Sequence, residues 1–209
     1  MSFPISIDLE YMKIAVIGFG KVARRKTTSL IERGATVFVY SNKFENLDEY
    51  VHYLKNGKLK TIEKDMNFEN LSGLDEFDII VAATSDSYLN ERIAQYCLER
   101  RKLVNCASDR KYSNFIFCSN IYRGKLSIGV STDGASPALA GNIKKSIEKI
   151  LDDGDIERRI DILAKLREYA VNNIVSQAER RKYLREISTY RIGELEAELE
   201  EKYGCDTSV

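Results

Sequence analysis

An unbroken apolar run, Ile14-Ala-Val-Ile17, stops at Gly18-Phe-Gly20, and apolar positions then return at helical spacing beyond Lys21. The pattern predicts a strand, a tight turn and a helix. Directly after that helix, Ala35-Thr-Val-Phe-Val-Tyr40 supplies a second strand rich in β-branched residues, as a βαβ unit requires. The same alternation continues to about residue 105, with strands expected at Ile14 to Ile17, Thr36 to Tyr40, Leu59 to Ile62, Ile79 to Ala82 and Leu103 to Asn105. Helices are expected to begin near Lys21, Lys43 and Ser87, the last capped by Asp86 or Ser85. Strands alternating with helices define an α/β fold, here a Rossmann-like doubly wound parallel sheet.

From Asn114 the pattern changes. Two extended runs, Phe115 to Ile121 and Lys125 to Val130, joined by Tyr122-Arg-Gly124, predict a β-hairpin. A lone two-stranded ribbon is marginal in water, so it should pack on a helix, a sheet edge or the same ribbon of a second subunit. Beyond Ser136 the chain reads as helical, with Ser136 as N-cap and Pro137 in the first turn, and Gly154 interrupts the run. Ile156, Ile160, Leu163, Leu166 and Ala170 then recur on one face. The acidic stretch Glu194 to Glu201 reads as solvated helix surface. The expected organisation is a Rossmann-like domain over residues 1–113, a ribbon and capped helix over 114–150, and a helical carboxy-terminal domain over 151–209.

Composition narrows the function. The 32 basic and 32 acidic residues cancel, which gives no bulk positive charge for a nucleic acid. No segment is apolar over the roughly 18 residues a membrane span needs, and the opening residues lack a signal-peptide pattern. A soluble, cytoplasmic protein is expected. Cys97, Cys106, Cys118 and Cys205 show no Cys-x-x-Cys spacing, so they are expected to be reduced thiols, mostly buried, and no metal site is expected.

The chemistry concentrates at the first turn. Gly18 permits a sharp turn, Gly20 leaves no Cβ in the path of a pyrophosphate, and Ala23 lets the helix lie close to the strand. The amides of Lys21, Val22 and Ala23 then face the phosphates at the positive end of the helix. At the end of the second strand, where NAD-preferring folds commonly carry an acid, stand Tyr40-Ser41-Asn42 and then Lys43. Ser41 or Asn42 can still hydrogen-bond a ribose diol. Cations gather at Arg110, Lys111, Arg123, Lys125, Lys144 and Lys145, near the ribbon and the first tail helix. The one histidine, His52, is expected to be a surface or packing residue of the second helix.

Gly18-Phe-Gly-Lys-Val-Ala-Arg-Arg-Lys26, Ala82-Ala-Thr-Ser-Asp-Ser-Tyr-Leu-Asn90, Val104-Asn105, Phe115 and Ser131-Thr-Asp-Gly-Ala-Ser-Pro-Ala-Leu-Ala140 occur in the order seen in the precorrin-2 dehydrogenase family. Over about residues 4 to 150 the chain resembles that family, which includes the siroheme-synthase amino-terminal module. The resemblance implies a homodimer that oxidises the tetrapyrrole precorrin-2 to sirohydrochlorin with NAD+, its cleft lying between the dinucleotide-binding and helical domains. Some members also insert ferrous iron. It adds Ala83 and Thr84 to the cofactor site and Asn105, Ser131 and Ser136 to the substrate site, and a macrocycle edged with carboxylates would draw Arg123 and Lys125 from the cationic cluster as its donors.

The sequence departs from the family at one place. An Asn-x-x-Asp pattern supplies the family's candidate base, whereas Asn105-Cys-Ala-Ser-Asp109 puts Ser108 at that position and Asp109 next. Serine is too weak an acid to serve as an unaided base near neutral pH. Either Asp109 takes the role or the proton passes to water, and chelatase activity is expected to be weak or absent. The remaining alternatives are a bifunctional chelatase and a non-catalytic dinucleotide sensor or tetrapyrrole carrier.

Overall fold

The computed structural model describes residues 3–152 and 154–204. It divides into two compact units, residues 1–117 and 118–209. In the first, β1 (Lys13–Ile17), β2 (Thr36–Ser41), β3 (Leu59–Glu63), β4 (Ile79–Ala82) and β5 (Leu103–Cys106) form one sheet in the order β3-β2-β1-β4-β5, every pair parallel. Because both faces of the sheet are covered, its central strands are apolar throughout Ile14–Ile17 and Ile79–Ala82. Ile14 and Val16 enter one core with Ala23, Leu30 and Val37, while Ala15 and Ile17 enter the opposite core with Leu74, Phe77 and Ile93. The strand order reverses at β1 and β4, which opens a crevice beyond their carboxyl ends.

Helices α1 (Lys21–Ile31), α2 (Val51–Lys55) and α3 (Ser87–Glu99) connect the strands. Asp86 caps α3 by accepting the Tyr88 and Leu89 amides, so of the two expected caps the structure uses the aspartate. The helix expected to begin near Lys43 starts later. A left-handed residue, Asn46 (φ 55°), precedes a 3₁₀ turn at Leu47–Tyr50, and α2 follows. Phe44 is drawn onto Phe19 instead of starting a helix, with ring centroids 5.0 Å apart.

The second unit opens with the antiparallel hairpin of β6 (Ser119–Arg123) and β7 (Leu126–Val130), followed by α4 (Pro137–Asp152), α5 (Ile156–Asn173), α6 (Gln177–Ile187) and α7 (Ile192–Tyr203). The first hairpin strand begins later than the sequence pattern indicates. Phe115 and Phe117 pack against the core of the first unit, so their apolar pattern belongs to that sheet. The turn is the two residues Gly124-Lys125, with Gly124 at φ +54°. Ser136 Oγ accepts the Leu139 amide at 3.3 Å, which makes it the expected cap of α4. In α5 the buried stripe runs Ile162, Leu166 and Ala170, while Ile156 and Ile160 are half-buried. Both α6 and α7 pack on α5, and the covered stripe follows them. Ile187 and Leu195 complete that core.

Candidate dinucleotide site

A cleft of about 760 Å³ lies in the first unit, lined by the loop after β1, the end of β2 and the loop after β4. Its floor is the glycine loop. Gly18 has φ +104°, and a Cβ there would stand 2.4 Å from the Ala83 carbonyl oxygen, so no other residue fits. Its amide donates to the Tyr40 carbonyl at 2.7 Å, which spends that N–H on the fold. Gly20 is different. Its φ is an ordinary −72° and a Cβ would meet no atom within 4 Å, so the chain's own packing does not require a glycine there. What a side chain would fill is the space before the first turn of α1, whose amides at Lys21, Val22 and Ala23 receive no side-chain cap. An open cradle beside uncapped amides fits a dinucleotide pyrophosphate. Gly18, Gly20, Lys21 and Val22 line the cleft, and Ala23 is fully buried behind them against the sheet.

The opposite wall is the loop after β4. Ala83 donates its amide to the Ile17 carbonyl at 2.9 Å, continuing the sheet by one residue. Asn90, only 2% exposed, shapes the rest. Its Oδ1 accepts the Thr84 amide at 2.9 Å and lies 2.8 Å from the Thr84 hydroxyl, while its Nδ2 donates to the Thr84 carbonyl at 3.1 Å. Sequence reasoning assigned Asn90 no role. The available signal was an amide on the sheet-facing side of a helix that is otherwise apolar there.

Ser41 and Asn42 border the cleft at the end of β2. Two charged residues join them, Lys43 and Glu45, which pair at 2.7 Å. The sequence offers no acid in the last positions of β2, and Glu45 reaches the wall only because the chain turns back there.

The two candidates for the base are placed differently. Ser108 lines the cleft, with its Oγ 3.2 Å from the Cys106 Sγ. Asp109 caps a 3₁₀ turn by accepting the Lys111 amide at 2.9 Å, and its carboxylate pairs with the Lys111 ammonium at 3.1 Å. Those hydrogen bonds from the Lys111 amide and side chain hold the Asp109 carboxyl below the usual carboxylate range. Asn105 is buried at the end of β5. Its Nδ2 donates to the Phe115 carbonyl at 3.1 Å, and its Oδ1 has no hydrogen-bond partner among the described residues.

The other substrate-site candidates lie in the second unit. Ser131 Oγ accepts the Asp133 amide, and the Ser136 amide donates to the Thr132 hydroxyl, so a tight local turn leads into α4. Arg123 pairs with Asp152 and Lys125 with Asp161, both at 2.7 Å. The hairpin turn is thereby fastened to the end of α4 and the first two turns of α5, with Gly124 lying against Glu157. Cys97 and Cys106 are free and buried, Cys118 is free and half-buried, and Cys205 lies outside the described residues. His52 is exposed on α2, beside Tyr53.

The strand order, the glycine loop and the open space at Gly20 define a dinucleotide-binding domain of Rossmann type. Residues 5–119 match a family model described as "Putative NAD(P)-binding", and residues 123–150 match one described as "Sirohaem biosynthesis protein central". A "Putative precorrin-2 dehydrogenase" of Methanocaldococcus jannaschii is 32% identical over 88% of both chains. The siroheme synthase of Actinobacillus succinogenes is 30% identical over 92% of this chain, which spans 39% of that longer protein. A solved structure, "SirC, precorrin-2 dehydrogenase", superposes with a TM-score of 0.75 at 26% identity, covering 96% of this chain and all of that one. The chain belongs to the precorrin-2 dehydrogenase family of NAD(P)-binding proteins.

Proposed function

We propose that this chain oxidises precorrin-2 to sirohydrochlorin in siroheme synthesis, with NAD+ as the oxidant. The observation that carries this reading is the unfilled cradle at Gly20, a glycine the fold does not need, set against uncapped helix amides. The amides of Lys21, Val22 and Ala23 hold the pyrophosphate. Ser41 and Asn42 meet the ribose, and Ala83 and Thr84, fixed by Asn90, form the facing wall. The bound cofactor supplies a hydride acceptor.

As hydride leaves the macrocycle a proton must leave with it. Ser108 Oγ, on the cleft wall, orients the water that takes this proton, because Asp109 is committed to its cap and its basicity is lowered. Asn105, Ser131 and Ser136 contact the substrate. Arg123 and Lys125 exchange their aspartates for the carboxylates of the macrocycle. The working division stays threefold: cofactor domain to residue 113, ribbon and capped helix to 150, helical domain beyond.

Two further features belong to this reading. The protein works as a homodimer in the cytoplasm, the partner ribbon pairing with an open edge of β6 or β7, since among the described residues these strands pair only with each other. No described helix is long and apolar enough to cross a membrane. Mixing protein, precorrin-2 and NAD+ should raise the reduced-nicotinamide absorbance; a silent mixture with dinucleotide binding intact would favour a sensor instead. Incubation with sirohydrochlorin and ferrous iron should give no siroheme above the uncatalysed rate, and fast formation would establish the bifunctional alternative.

A further inference from the structure

Three local contacts bring a carboxylate to the place where β2 lacks one. Ser41 Oγ donates to the Lys43 carbonyl at 2.7 Å and accepts the Lys43 amide at 3.2 Å, which turns the chain back at the strand's end. Phe44 then packs on Phe19, the residue between the two loop glycines, and Phe19 is held from another side by Tyr50 at 5.4 Å between centroids. Phe19 is buried, so this is a fixed anchor. The residues on either side of Phe44 are therefore held at the mouth of the glycine loop, and both line the cleft.

We propose that Glu45 is the residue by which this chain selects NAD+ over NADP+: its carboxylate receives the 2′-hydroxyl of the adenosine ribose and keeps the Lys43 ammonium from serving a 2′-phosphate. This rests on the dinucleotide reading above. In folds of this type the ribose diol meets the end of the second strand, and an acid there binds the hydroxyls and repels a phosphate. Glu45 supplies that acid from four residues beyond the strand. Its pair with Lys43 is 2.7 Å long, and the lysine side-chain hydrogen bond holds the Glu45 carboxyl below its ordinary value, so the group is ionised at neutral pH. Arg24, in the first turns of α1, acts on the same carboxylate. Without Glu45 the cleft wall would keep the Lys43 ammonium without its carboxylate partner, which is the arrangement a 2′-phosphate favours.

Calorimetric titration of the full chain with NAD+ and with NADP+ tests the assignment. The unsubstituted chain should bind NAD+ at least about tenfold more tightly, and Glu45→Gln should weaken NAD+, tighten NADP+ and cut that ratio about tenfold or more. Glu45 is exposed, so a thermal melt should confirm an unchanged fold. Adding Lys43→Met to Glu45→Gln should abolish the gain in NADP+ affinity. A preference for NADP+ in the unsubstituted chain, or a ratio moved less than about threefold by Glu45→Gln, overturns the assignment while leaving the dinucleotide site intact. No binding of either dinucleotide overturns the cofactor reading and this inference with it.

Discussion

A methyl group on Gly18 would lie 2.4 Å from the carbonyl oxygen of Ala83, so the loop leaving β1 and the loop leaving β4 touch at a point where only hydrogen fits. This contact sets the bottom of the cleft. Two residues later, at Gly20, the same substitution meets empty space. One glycine serves the fold and the other leaves room for a ligand.

The two glycines should therefore separate on substitution. Gly18→Ala combines a clash with backbone and a left-handed φ, and should cost about 2 kcal/mol or more in denaturant unfolding. Gly20→Ala should leave stability unchanged or raise it by up to about 1 kcal/mol, because it restricts the unfolded chain. Its NAD+ affinity, read by calorimetry, should nevertheless fall about tenfold or more. Equal NAD+ affinity in Gly20→Ala would show that the cradle is not used.

Asn90 holds Thr84 through its amide, hydroxyl and carbonyl; the hydroxyl also reaches the Asp86 carbonyl at 3.0 Å, so it is the amide and carbonyl that depend on Asn90. Asn90→Leu should cost about 2–3 kcal/mol, since it leaves the Thr84 backbone groups unpaired while adding apolar bulk. Chemical denaturation measures this. A loss below about 0.5 kcal/mol would mean that the Thr84 loop is set elsewhere.

Lys26 is half-buried, with its ammonium 3.9 Å from the centre of the Phe117 ring. Burial, and secondarily the charge of Arg25, lower its pKa from 10.5 to about 8. In the window between those values the unfolded chain binds the proton and the folded chain does not, so this group makes stability rise with pH there. Lys26→Met should remove that rise. Unfolding measured at several pH values for both proteins should show the unsubstituted chain gaining stability relative to Lys26→Met from pH 8 to 10.5. A constant difference would mean that Lys26 titrates normally.

Ser108 and Asp109 offer a kinetic contrast. Ser108→Ala should lower kcat for precorrin-2 oxidation more than Asp109→Asn, and neither loss should reach the roughly 100-fold typical of a lost general base. Steady-state reduction of NAD+ gives both numbers. A 100-fold or larger loss in Asp109→Asn alone would return the base to Asp109.

Much of the first unit is legible in the chain because its determinants are local. The runs at β1 and β4 are apolar on both faces, Gly18 and Gly20 punctuate the turn, and Asp86 caps α3, as Ser136 caps α4 in the second unit, by reaching amides two or three residues away. The start of the second helix departs from its local pattern for the same reason in reverse. Lys43 begins a plausible helical spacing, but Phe44 is claimed by Phe19, a partner 25 residues earlier that no local period reveals. Phe115 and Phe117 likewise read as hairpin strand, yet they pack on the sheet.

The sequence by itself determined the parallel sheet, the glycine loop, the hairpin and the capped helices, because backbone torsions and hydrophobic periodicity act over a few residues. Only the tertiary structure decided that Asn90 shapes the Thr84 loop, that Arg123 and Lys125 pair with Asp152 and Asp161, and that Glu45 stands on the cleft wall. Hydrogen bonds and ion pairs depend on which side chains packing brings within about 3 Å, and that distance is set when the whole chain closes.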